Sequence, residues 1–141
     1  GLASALGMQS SEEGRPDGIK IHFQQEGTER RLKPDVEMAF YRIAQEALNN
    51  VSRHASARNA WILLHFRPES VVLEIRDDGS GFNPPADPAQ FARQGHYGLL
   101  GMYERAELIG AKMSIHSSAD EGTRLVVRLA TQPAAQTGAE S

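Results

Sequence analysis

Hydrophobic residues recur with two periods along this chain, and each period predicts its own elements. Val36, Phe40, Ile43, Ala47 and Val51 return every three or four residues, which puts them on one stripe of an α-helix. Tyr41 to Ala55, YRIAQEALNNVSRHA, carries that helix, and Pro34 and Asp35 mark its start, with Asp35 as cap or first-turn acid. A second helix spans Gly98 to Gly110, with Leu99, Met102, Tyr103, Ala106 and Ile109 on one side and Gly110 as the stop. Elsewhere the period is two. Ile19, Ile21 and Phe23 alternate with Lys20, His22 and Gln24, the pattern of a half-buried strand. Ala60–Phe66 is rich in apolar residues and predicts a strand covered on both faces or nearly so. Past a turn at Pro68–Ser70, Val71, Leu73, Ile75 and Asp77 share one strand face, and Val72, Glu74 and Arg76 share the other. Lys112–Ser117 and Gly122–Ala130 are two further strands, the second with Thr123, Leu125, Val127 and Leu129 on one face. Strand, helix, two strands, helix, two strands predicts an α+β fold. Adjacent strands pair antiparallel and helices cover one sheet face, giving a two-layer α/β sandwich.

The ends of the chain differ from its middle. Leu2, Ala5, Leu6 and Met8 form a short apolar patch ahead of SSEEGRPDG, a polar linker punctuated by Gly and Pro. Residues 1–18 are therefore expected to be the end of a preceding helix plus a linker, and 19–131 the folded domain. Gln132–Ser141 is low in apolar content and is expected to be disordered. A first residue of Gly1 instead of Met suggests a piece of a longer polypeptide. Composition removes several chemistries. The absence of cysteine excludes disulfides, thiol nucleophiles and sulfur-held metals. A net charge of −3 gives no general attraction for nucleic acid or anionic membranes. No apolar run reaches the length of a membrane span.

Four stretches carry candidate chemistry. On the long helix, Arg42, Glu46, Asn50 and Arg53 fall along one line at the edge of the apolar stripe. Asn50 sits on the side nearer the core, and Asn49 rotates toward solvent. A solvated polar face is the competing explanation. In Asp77-Asp78-Gly79-Ser80-Gly81-Phe82, alternation turns Asp77 inward and Asp78 outward. A buried carboxylate needs a partner, and a ligand amine such as that of a purine suits it. The alternative is a tight Asp-Gly turn. Gly95-His96-Tyr97-Gly98-Leu99-Leu100-Gly101-Met102 leads into a helix, where free N–H groups favour phosphate. It lacks the GKS or GKT ending of a P-loop, and no strand directly precedes it as a dinucleotide fingerprint requires. Thr123 in Gly122-Thr123 has an inward hydroxyl, although threonine is also simply a good strand former.

In this order, QEALNNVSRHA, DDGSGF, GLLGMYER and GTRLVVRL resemble the nucleotide-binding boxes of the gyrase, chaperone and histidine kinase ATPase superfamily. The match is closer to the catalytic domain of sensor histidine kinases of the NarX and DesK type, and it runs from about Ile19 to Ala130. That resemblance implies a Bergerat-type ATP-binding fold with a mixed sheet, and ATP and Mg²⁺ as cofactors. It implies Glu46 beside the γ-phosphate as catalytic base or water-orienting group, and Asn50 as an oxygen ligand to Mg²⁺. Arg53 would touch a phosphate, and His54 would lie beside the sugar or phosphates. Asp77 would accept from the adenine amine, with Gly79 and Gly81 making room for the ring. Gly98, Leu99 and Gly101 would close over the phosphates, Thr123 would line the adenine floor, and Asn83 to Tyr97 would be a mobile lid.

The same resemblance implies a kinase that phosphorylates a histidine on a separate dimerisation hairpin, with a response regulator downstream. The full-length protein is then expected to be a cytoplasmic homodimer, membrane-anchored or not, and this fragment a monomer. The acceptor histidine of such kinases is followed by an acidic residue. Here the five histidines are followed by Phe23, Ala55, Phe66, Tyr97 and Ser117, so none fits. Ala111 also stands where relatives often carry a second glycine. An ATP hydrolase of the same superfamily, or a nucleotide-sensing module without catalysis, are the competing functions.

Overall fold

The computed structural model describes residues 1–10, 18–54, 56–84, 87–91 and 97–131. Helix α1 (Leu2–Ser10) and strand β1 (Lys20–Glu26) lead into the long helix α2 (Pro34–His54). Strands β2 (Asn59–Phe66) and β3 (Ser70–Asp77) follow, then a 3₁₀ turn at Pro88–Phe91 and helix α3 (Tyr97–Leu108). Strands β4 (Lys112–Ser117) and β5 (Thr123–Ala130) complete the fold.

The start of α2 is set locally. Pro34 occupies the first turn, where its missing N–H costs nothing, and the Lys33 carbonyl accepts from the N–H groups of Val36 and Glu37. Glu37 reaches back to the Leu32 N–H at 3.1 Å and pairs with Arg31 at 3.0 Å. Burial pushes the Glu37 carboxyl up, but the Leu32 N–H and the Arg31 guanidinium outweigh it and hold the group below its ordinary value. At the other end of the helical layer, α3 ends at Leu108 and turns at Gly110. The N–H groups of Gly110 and Ala111 there close onto the carbonyls of Glu107 and Ala106.

The five strands form one sheet in the order β1-β2-β3-β5-β4. β1 pairs with β2 in parallel, and the remaining pairs are antiparallel. The sheet is therefore mixed, and the antiparallel rule for sequence neighbours fails at β1–β2 because α2 crosses over between them. The predicted stripe of α2 is the heart of the core: Phe40 and Ile43 are fully buried, with Val36, Ala47 and Val51 close to it. Truncating a side chain such as Phe40 to alanine costs about 3–5 kcal/mol. Leu2, Ala3 and Leu6 of α1 join the same core, but Met8 turns outward and is 70% exposed.

Strand β2 corrects one expectation. It is covered on one face only: Ala60, Ile62, Leu64 and Phe66 are buried, while Trp61, Leu63 and His65 are half-exposed. The outward residues are large because they pack sideways. Trp61 stacks on His22 of β1 at 5.6 Å and carries the Arg76 guanidinium of β3 at 4.9 Å. An apolar run thus stood for lateral packing on an open sheet face.

Candidate functional site

Register places the polar groups of the inner sheet face in a single row. Ile21, Ala60, Asp77, Thr123 and Ser117 are successive cross-strand partners. One step along, the row is Phe23, Ile62, Ile75, Leu125 and Ile115, wholly apolar. The polar half-row therefore marks the end of the core. Above it lies a cleft of about 190 Å³, walled by Ala47 and Val51 of α2, Leu99 and Met102 of α3, Ile75, Leu125 and Phe82. Asn50, Asp77 and Thr123 supply its polar side chains. An apolar slot with a few convergent polar groups is the usual form of a small-molecule site.

Asp77 is 6% exposed and is the one charged side chain in the core among the described residues. Its Oδ1 accepts the Gly79 N–H at 2.8 Å, and the Thr123 N–H also donates to the carboxylate. Burial pushes this carboxyl above the usual range; those two N–H groups oppose the shift and the neighbouring Asp78 adds to it. Asp78 points outward, as alternation required, and takes the N–H groups of Arg58 and Asn59 and the Asn59 amide at 2.9–3.0 Å. Those bonds, the Asn59 side chain first, hold Asp78 below its ordinary value. The Asp-Gly pair is therefore no simple hairpin turn. Asp78 ties the start of β2 to the end of β3, and Asp77 faces the cleft.

On α2 the predicted row divides around Gly98. Asn50 lines the cleft, while Arg42 and Glu46 line an adjoining hollow of about 270 Å³ together with Gln45, Gly101 and Arg105. Gly98, in the first turn of α3, is where the two meet. A Cβ there would stand 2.5 Å from Glu46 Oε1 and 3.4 Å from Asn50 Oδ1. Arg53 stays largely exposed and approaches Glu46 at 3.6 Å. Asn49 is exposed, as predicted. The glycine-punctuated segment is already helical from Tyr97, so it presents a helix start instead of a loop. Leu99 is buried in the apolar wall, which leaves only its backbone for a phosphate. The His54 side chain, His96, residues 132–141 and much of the expected lid lie outside the described residues.

Two glycines beside the cleft are required by geometry. Gly122 and Gly81 both have positive φ, 74° and 68°. A Cβ on Gly122 would overlap the Asp77 carbonyl oxygen, and one on Gly81 would overlap that of Ser118. Gly81 thus serves the close approach of two chain segments as well as the cleft it lines. Gly101 has open space around it. Gly122→Ala is expected to lower stability by more than about 2 kcal/mol through the left-handed backbone plus the clash. Gly101→Ala should hold or raise stability by up to about 1 kcal/mol, because it replaces a helical glycine. Urea titrations of the two variants check this, and equal midpoints would contradict it.

Sequence reasoning missed Ser117. Its hydroxyl lies 3.0 Å from Thr123 Oγ1, accepts the Phe82 N–H at 2.9 Å and donates to the Gly122 carbonyl at 2.8 Å. The signal available was its place at the end of a strand pattern opposite Thr123, which cannot be known before the register is.

Comparison with known proteins gives the chain a family. Residues 35–133 match the family model of the histidine kinase-, DNA gyrase B- and HSP90-like ATPases. The chain belongs to this ATPase family. It is 34% identical over 79% of its length to the signal transduction histidine-protein kinase/phosphatase DegS of Bacillus subtilis, covering 29% of that protein. It is 37% identical over 92% of its length to the sensor histidine kinase YhcY of the same organism, covering 33% of it. The chain thus spans a third or less of the curated relatives it matches. The histidine kinase domain of a blue-light activated kinase from Erythrobacter litoralis has the same fold, with a TM-score of 0.69 over 98% of this chain and 63% of that one at 20% identity. The mixed sheet under one layer of helices is the fold of this family, whose members are nucleotide-binding ATPases.

Proposed function

We propose that this chain is the catalytic domain of a sensor histidine kinase, binding Mg²⁺–ATP and passing the γ-phosphate to a histidine on a separate dimerisation hairpin. The observation that carries the reading is the pairing of one buried carboxylate with an apolar slot, opening at Gly98 onto Glu46 and Asn50. The slot takes the adenine, with its amine on Asp77. The phosphates then lie toward Asn50 and the start of α3, where the first N–H groups of a helix and its dipole favour them. Among the described residues no cluster of three or more His, Asp or Glu could cage a metal. That suits Mg²⁺, which is commonly held by one or two protein oxygens plus substrate phosphates, and Asn50 Oδ1 at the mouth of the cleft is such an oxygen. When bound, the ion would neutralise phosphate charge. Glu46, one turn before Asn50, orients the attacking group or takes its proton. Arg53 is close enough to Glu46 to share a phosphate's charge.

In the full-length protein we place this domain beside a dimerisation hairpin and a response regulator, in the cytoplasm where ATP is held, and the fragment alone as a monomer. Labelled ATP with and without the hairpin in trans tests the reading. The isolated chain should carry no acid-labile phosphate, since none of its histidines has the acceptor's context, and adding the cognate hairpin should place label on the hairpin. Stable label on this chain alone would overturn the transfer scheme, and steady phosphate release without the hairpin would identify a hydrolase instead.

A further inference from the structure

The polar end of the cleft has a hydrogen-bond direction built into it. A serine hydroxyl has one proton to donate and two lone pairs with which to accept. Ser117 Oγ donates to the Gly122 carbonyl, which can only accept, at 2.8 Å. It accepts from the Phe82 N–H, which can only donate, at 2.9 Å. Its third neighbour is Thr123 Oγ1 at 3.0 Å, and when the Ser117 proton goes to the Gly122 carbonyl, Thr123 is the donor in that contact. The Thr123 hydroxyl therefore points its proton away from the cleft and leaves its lone pairs facing it. Asp77, directly across β5–β3 from Thr123, adds a carboxylate whose known partners, Gly79 and Thr123 N–H, are both donors. This end of the cleft thus presents acceptors.

We propose that Ser117 is a positioning residue that fixes the Thr123 hydroxyl as an acceptor and so makes the cleft select a purine with an amino group at its six-position over one with an oxo group. The proposal rests on the adenine reading above and adds what enforces it. A 6-amino group supplies two N–H donors, directly or through a water, to Asp77 and Thr123. A 6-oxo group brings an acceptor against acceptors, and a buried unpaired acceptor is strongly disfavoured. Asp77 alone does not settle the selection, because a rotating threonine hydroxyl could donate to the oxo group. Ser117 removes that freedom. Its partners come from three parts of the chain, the segment after β3, the turn before β5 and β5 itself, so the same hydroxyl also fixes the position of Phe82 over the cleft.

Calorimetry with ADP and IDP, which cannot be turned over as phosphate donors, tests this. The unaltered chain should prefer ADP by well over tenfold. Ser117→Ala frees the Thr123 hydroxyl to donate, so the ADP-to-IDP ratio should shrink by about tenfold or more, the worth of one good hydrogen bond. Ser117→Thr, which keeps the hydroxyl, should keep the ratio. A purely structural role for Ser117 would weaken both nucleotides by the same factor; that result overturns the proposal, as does an equal collapse of the ratio in Ser117→Thr. If Ser117→Ala does not fold, Thr123→Val carries the test. It keeps shape while removing the acceptor, and should lose ADP affinity with IDP unchanged; parallel losses overturn the proposal. A native chain that binds both nucleotides equally would instead refute the adenine reading itself.

Discussion

Replacing Asp77 with asparagine is expected to weaken ATP and ADP together, by at least about tenfold, while Asp78→Asn changes either by no more than about twofold. A hydrogen bond to a charged group contributes about 1.5–3 kcal/mol when its partner is buried, and Asp77 is the buried charge of this cleft. Both nucleotides should suffer alike, because the proposed contact is to the base, away from the phosphates. Among the described residues Asp78 bonds to Arg58 and Asn59, on the far side of the strand. Its loss should appear as stability. Calorimetry for affinity and urea titration for stability separate the two, and equal affinity losses would show that both carboxylates face the ligand.

The two neighbours also have opposite pH signatures. Burial raises Asp77 above the ordinary aspartate value of about 3.9. Between that value and its raised one the folded chain holds a proton that the unfolded chain has released. Asp77 thus withdraws stability as pH rises through that window. Nucleotide binding wants the ionised form, so ADP affinity should fall on acidification with a midpoint above the ordinary aspartate value. Asp78 is lowered, chiefly by the Asn59 amide. Its stabilisation is present above the ordinary value and is lost as pH falls through the lowered one. Above that window the empty domain has therefore given up stability that a bound amine would restore.

What the sequence made legible was whatever depends on a local period. The stripe of α2 could be assigned from spacing because every member sits on one continuous helix, and it came out buried from Val36 to Val51. The inward Asp77 and outward Asp78 followed from a period of two, and the order of elements gave the two-layer class. What stayed hidden depends on which strands meet. The parallel β1–β2 pair needs a crossover that no local pattern records. The same is true of the open outer face of β2, where Trp61 is held between His22 and Arg76 from neighbouring strands. Ser117 is the clearest case, since its bond to Phe82 spans 35 residues of sequence. A lone serine at a strand end carries no mark of that. The division of the α2 row between cleft and adjoining hollow likewise depends on where Gly98 lands, which is set by α3 packing onto α2.

Asn50→Ala is expected to abolish the part of ATP affinity that depends on Mg²⁺, at least about tenfold, and to leave adenosine binding nearly intact. Asn50 lines the cleft from α2, beyond Ala47 and beside Val51, with its amide oxygen turned toward Gly98. In the proposed pose the phosphates would leave the adenine slot past that position, and the base would rest on Asp77. Loss of a group that fixes or ligates a metal typically costs 10–100-fold in affinity, which sets the size of the effect. The adjacent Asn49 has the same side chain one residue earlier, but α2 rotates by about 100° between them and leaves it in solvent. Asn49→Ala should therefore be silent. Calorimetry of ATP with and without Mg²⁺, and of adenosine alone, distinguishes the outcomes. If Asn49→Ala has the larger effect, or if Asn50→Ala weakens adenosine as much as Mg²⁺–ATP, then the phosphates do not leave the slot past this face of α2.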